Sequence, residues 1–87
     1  MSKGGTPWIV YIVECRDGSF YTGITNDMSR RIQEHNDGTA SRYTRSRRPV
    51  VLRYQEQMAE RSQALVRECA VKLLTRKEKE VLIRERG

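Results

Sequence analysis

Few side chains in this 87-residue sequence combine a reactive type with an informative position. Tyr11 and Tyr21 flank a short polar turn, Arg31 and His35 stand four residues apart, and Glu68 lies in the last third. On a helix Arg31 and His35 share a face, because residues at i and i+4 are neighbours there. Glu68 falls three residues beyond Leu65, at the margin of an expected apolar helix stripe. A carboxylate there is desolvated on one side and still reaches a cleft. It suits a hard cation such as Mg²⁺, which takes oxygen ligands and keeps most of its waters. Between Ala40 and Arg53 lie Arg42, Arg45, Arg47, Arg48 and Arg53, with no Asp or Glu among them. That segment reads as a surface for phosphates. Arg42, Tyr43, Thr44, Arg45, Arg47 and Arg48 are its expected substrate contacts, and a tyrosine amid arginines can stack on an unpaired base.

These groups need elements to position them. Trp8–Cys15 is rich in β-branched and aromatic residues and reads as a buried strand. Arg16-Asp17-Gly18-Ser19 is turn chemistry, and Phe20–Thr25 returns as the second strand of a hairpin. The register decides where the tyrosines go. A two-residue Asp17-Gly18 turn pairs odd positions with even ones and separates the rings; a three-residue loop with Gly18 left-handed pairs odd with odd and brings them together. Gly23 either marks a bulge or lets backbone approach a phosphate.

Asn26 and Asp27 are cap candidates for a helix over Met28–Asn36, and Gly38 suits its left-handed end. A polar loop is expected from Thr39 to Pro49, then a third strand over Val50–Gln57. A long helix over Ala59–Leu74 carries Leu65, Val66, Cys69 and Leu73 as its apolar stripe. Thr75 and Glu78 match a capping box that opens a last helix through Ile83. Trp8, Phe20, Leu65 and Leu73 are the expected core residues. The fold class is α/β or α+β, a small three-stranded sheet flanked by helices in the order β-β-α-β-α-α. A single domain over 8–87 is expected, preceded by a flexible tail over 1–7.

The formal net charge of +6 favours a polyanionic partner, nucleic acid being the commonest. Cys15 and Cys69 lie in apolar sequence without C-x-x-C spacing, so a reduced, cytoplasmic setting is expected, and one histidine makes no zinc signature. No apolar run is long enough to cross a bilayer.

The string VYIVECRDGSFYTGITNDMSRRIQEHN resembles the start of a GIY-YIG nuclease domain. Tyr11 matches the tyrosine of its first motif, Tyr21-Thr22-Gly23 its second, Arg31 and His35 its helix residues, and Glu68 its metal-binding glutamate. RYTRSRRPVVLRYQE and ALVRECAVKLL are similar to the small stand-alone bacterial branch often called YhbQ-like. The resemblance runs from Trp8 to Ile83. Ile9 and Val10 replace the first motif's glycine and isoleucine, Thr22 replaces an isoleucine, and no asparagine follows Glu68. The resemblance implies a single-metal DNA endonuclease using Mg²⁺ or Mn²⁺, acting on branched, damaged or single-stranded DNA in repair or recombination. Tyr11 would be the general base, Tyr21 a partner of the water or phosphate, Arg31 a stabiliser of phosphoryl charge, His35 an orienting group and Glu68 the metal ligand. A protein partner could supply targeting, and a monomer is favoured. The missing asparagine motivates the alternative, a nucleic-acid-binding module of the same fold with weak or no catalysis.

Overall fold

The computed structural model describes residues 7–86; the expected N-terminal tail, apart from Pro7, lies outside them. Strands β1 (Trp8–Glu14) and β2 (Phe20–Thr25) form the hairpin, and β3 (Val51–Met58) joins on the other side of β1. The sheet is antiparallel throughout, in the order β2-β1-β3. Helices α1 (Met28–Asp37) and α2 (Arg42–Arg45) separate β2 from β3, and α3 (Arg61–Lys72) and α4 (Arg76–Arg86) follow. The expected order holds, with α2 as a single extra turn inside the expected loop. Its signal is local: Ser41 caps it by accepting from the Thr44 amide at 3.1 Å.

The hairpin takes the three-residue loop. Gly18 has φ +86°, Cys15 and Ser19 close the ladder, and Tyr11 lies opposite Gly23 with Val13 opposite Tyr21. Odd positions therefore pair with odd ones, and both tyrosines project from one side of the sheet.

Each side of the sheet has its own apolar layer. On one, Tyr11, Val13, Cys15 and Val50 pack with Ile9, Tyr21, Met28, Ile32 and Leu52. On the other, Val10, Ile12, Tyr54, Ala64 and Val71 pack with residues that include Trp8, Phe20, Leu82 and Ile83. A register shift between Ile12 and Val13 places Tyr54 and Leu52, both even-numbered, in opposite layers.

The caps at Asp27, Gly38 and Thr75 lie where the sequence places them. Asp27 accepts from the Arg30 amide, Gly38 is left-handed, and Thr75 and Glu78 exchange bonds of 3.1 and 2.8 Å. The stripe expected on α3 does not face the core. Leu73 is 86% exposed, Val66 72% and Leu65 38%, and Cys69 is also exposed. Ala64 and Val71 are the fully buried residues instead, because the sheet takes the small side chains against it. Leu65 and Leu73 accordingly leave the expected core, while Trp8 and Phe20 stay within it.

Candidate active site

Tyr11 is the centre of the cluster. It is 2% exposed, on the central strand, and its hydroxyl lies 2.8 Å from His35 Nε2 of α1. Gly23 faces it across the hairpin. A Cβ there would meet the Tyr11 hydroxyl oxygen at 2.7 Å, so the missing side chain is the space the phenol occupies. Gly23 was expected at a bulge or beside a phosphate; the regular register here gives it this packing role.

His35 is 1% exposed and bonds on both ring nitrogens, its Nδ1 lying 2.8 Å from Thr44 Oγ1. Thr44 Oγ1 in turn lies 2.8 Å from Ser41 Oγ. The hydroxyls of Ser41 and Thr44 and the rings of His35 and Tyr11 thus form one chain running from α2 through α1 to β1. Thr44, expected among the substrate contacts, is fully buried and spends its hydroxyl here. The local sequence sign of Ser41 is weak, a serine placed to cap the short helix that carries Thr44.

Tyr21 extends the cluster outward. Its ring is edge-on to His35 with centroids 5.4 Å apart and stacks on Tyr43 at 5.9 Å with the planes 24° apart. The Arg47 guanidinium covers the far side, 3.9 Å from the Tyr43 centroid, while its Nε pairs with Asp17 at 3.1 Å. Arg48 donates to the Arg45 carbonyl at 2.9 Å. Arg42 and Arg45 are exposed, and their guanidinium groups meet no carboxylate among the described residues.

Arg31 and Glu68 reach the same phenol electrostatically. Burial above all, then the Tyr21 hydroxyl, raises the Tyr11 pKa above that of a free tyrosine; Arg31 lowers it, and Glu68 and Glu34 raise it. Burial and then Arg31 depress His35, with Glu34 acting the other way. His35 is therefore neutral at physiological pH. Arg31 Nη1 is 3.5 Å from Glu34, yet its buried Nε has no hydrogen-bond partner among the described residues. A buried guanidinium N–H of this kind calls for an ordered water or an anion as its acceptor. Glu68 is half-buried on α3, with Lys72 at 3.4 Å.

Among the described residues no three His, Cys, Asp or Glu side chains gather as an all-protein metal cage. One carboxylate near a buried phenol fits a different donor set, that of a hard cation held by one or two carboxylates, water and substrate phosphate. Of the two asparagines, Asn36 is committed to the backbone of Val50, which donates to it at 2.8 Å, and Asn26 is exposed at the end of the hairpin.

A family model described as the GIY-YIG catalytic domain matches residues 7–81. A UPF0213 protein of Desulfotalea psychrophila is 53% identical over 78 residues, covering 88% of this chain and 71% of its own length. One from Halobacterium salinarum is 49% identical over 73 residues, 84% and 95% respectively. The solution structure of a UPF0213 protein from Bacillus halodurans is 42% identical, with a TM-score of 0.61 over 93% of this chain and 86% of that one. A protein from E. faecalis, also solved in solution, is 42% identical with a TM-score of 0.64, over 97% and 90%.

Proposed function

The chain belongs to the GIY-YIG catalytic-domain family, and from that premise we propose that it is a metal-dependent endonuclease hydrolysing DNA phosphodiester bonds. The observation that carries this reading is the cluster at one buried hydroxyl: His35 bonds to Tyr11 at 2.8 Å and the Tyr21 ring lies edge-on to His35, with Arg31 and Glu68 as nearby charges. Together with Tyr11 these groups come from both strands of the hairpin and two separate helices.

Tyr11 acts on the attacking water. As water approaches phosphorus, its proton passes to the phenol oxygen while the phenol gives up its own proton to His35, so that hydroxide attacks in line with the departing ester oxygen. Tyr21 holds the water or a phosphoryl oxygen by hydrogen bonding. Arg31 supplies positive charge to the phosphoryl oxygens as their own charge grows. Glu68 would hold the divalent ion, Mg²⁺ or Mn²⁺, which when bound would supply positive charge to stabilise the reacting phosphate. The exposed Arg42 and Arg45 hold the flanking strand by phosphate contact, while Tyr43, sandwiched by Tyr21 and Arg47, keeps this segment in place beside the site. Branched, damaged or single-stranded DNA is the substrate class this reading carries.

The test is incubation with flap, fork, gapped and single-stranded DNAs, with and without Mg²⁺ or Mn²⁺. Cleavage is expected only with metal, and Tyr11→Phe and Glu68→Ala each reduce it by about 10²-fold or more while leaving binding in place. Undiminished cutting by Glu68→Ala removes Glu68 as the ligand. Salt-sensitive binding by a parent protein that cuts none of the substrates would establish the family's fold used as a binding module.

A further inference from the structure

We propose that Thr44, held by Ser41, is a positioning residue that fixes His35 in the Nδ1–H tautomer and aims its free Nε2 lone pair at the Tyr11 hydroxyl. The consequence for cleavage rests on the endonuclease reading; the tautomer itself does not.

The assignment follows from counting donors along the chain of three 2.8 Å contacts. A neutral imidazole has one N–H and one acceptor nitrogen, and the partner of one fixes the other. Two directions are possible. In the first, the Tyr11 O–H donates to Nε2, Nδ1–H donates to Thr44 Oγ1, and the Thr44 O–H donates to Ser41 Oγ. Ser41 Oγ also accepts the Thr44 amide at 3.1 Å, and its own proton is free to meet solvent, Ser41 being only half-buried. Every buried donor among these four side chains then has an acceptor. In the reverse direction Ser41 donates to Thr44, Thr44 to Nδ1, and Nε2–H to Tyr11. The Tyr11 proton is then left with no acceptor among the described residues, on a phenol that is 2% exposed and makes no other hydrogen bond with them. The imidazolium has the same defect, since both its nitrogens donate. Burial and the nearby Arg31 also disfavour that charge.

The first direction gives Tyr11 an outlet. As the phenol oxygen accepts a proton from water, its own proton moves to His35 Nε2. The new hydroxide forms the bond to phosphorus, the phosphorus–ester oxygen bond breaks, and the leaving oxygen takes a proton from solvent. His35 ends the step as imidazolium and returns its proton to bulk water by way of Tyr11. Tyr11 therefore serves as a base without standing as a phenolate in a buried site. Thr44 belongs to the one-turn helix that also carries Tyr43. Folding of the substrate-contacting loop and readiness of the base are thereby linked through a single hydroxyl.

The chain's single histidine makes the tautomer directly readable. Long-range ¹H–¹⁵N spectra of uniformly ¹⁵N-labelled protein at neutral pH are expected to show protonated Nδ1 and unprotonated Nε2. Thr44→Ser retains that pattern, and Thr44→Val shifts it toward Nε2–H. In cleavage assays Thr44→Val lowers kcat by about 10²-fold with KM little changed, and Thr44→Ser restores most of the loss. Nε2–H in the parent protein overturns the proposal without recourse to any variant. So does an unchanged tautomer, or unchanged kcat, in a folded Thr44→Val. Nδ1–H in a protein that cuts no DNA leaves the positioning role intact and sinks the nuclease reading alone.

Discussion

The Tyr11 hydroxyl and His35 Nε2 lie 2.8 Å apart, and burial pushes both rings away from their charged forms. For His35 the consequence is a pH dependence of stability with a definite sign. Its folded pKa is depressed below the unfolded value of about 6.5, so the unfolded chain binds a proton that the folded one refuses. The stabilisation is present above that value and is lost as pH falls through the folded pKa. Urea midpoints are therefore expected to drop between about pH 7.5 and pH 5, and His35→Gln is expected to flatten that limb. Parallel pH profiles for the two proteins would mean that the imidazole is not held neutral. Asp17, whose carboxyl is held below the usual range by hydrogen bonds from Ser19, titrates too low to account for the same limb.

At the scale of elements, α3 decides where Glu68 points. Ala64 and Val71 face the sheet and Glu68 lies between them along the helix, four residues after one and three before the other. It therefore sits toward the sheet, more deeply than at the margin of the Leu65–Leu73 stripe where the sequence places it. The two faces are expected to respond differently to substitution. Val71→Ala removes two buried methyl groups and should cost about 1–2 kcal/mol in chemical denaturation. Leu73→Ser, at a position 86% exposed, should stay within about 0.5 kcal/mol. Reversed sensitivities would place Leu73 in the core and turn Glu68 away from the sheet.

Taken whole, the molecule carries a net +6, but its arginines are not equivalent. Arg53 pairs with Glu14 at 3.0 Å and Arg47 with Asp17 at 3.1 Å, whereas Arg42 and Arg45 meet no carboxylate among the described residues. Unpaired guanidinium groups release the most counterions on meeting phosphates. An Arg42→Ala, Arg45→Ala double variant is expected to weaken DNA binding and reduce the slope of log K against log salt by about 2. Arg53→Ala should leave that slope nearly unchanged. A double variant with the parent's slope would remove this loop from the interface.

The sequence by itself determined the main elements and several of their ends, because caps and turns are local chemistry, while the single turn of α2 read as loop. Asp27, Gly38 and the Thr75–Glu78 box act over a few residues, and Gly18 makes the three-residue turn possible without compelling it. It also supplied the family motifs, since Tyr11, Tyr21, Arg31, His35 and Glu68 keep their order and separations along the chain. Only the tertiary structure decided which hairpin register formed, which face of α3 met the sheet, and that Thr44 is buried against His35. Each of these is a choice between packings that the local pattern permits equally. An exposed valine and a buried one have the same propensity, and what separates them is the surface brought against them from far along the chain.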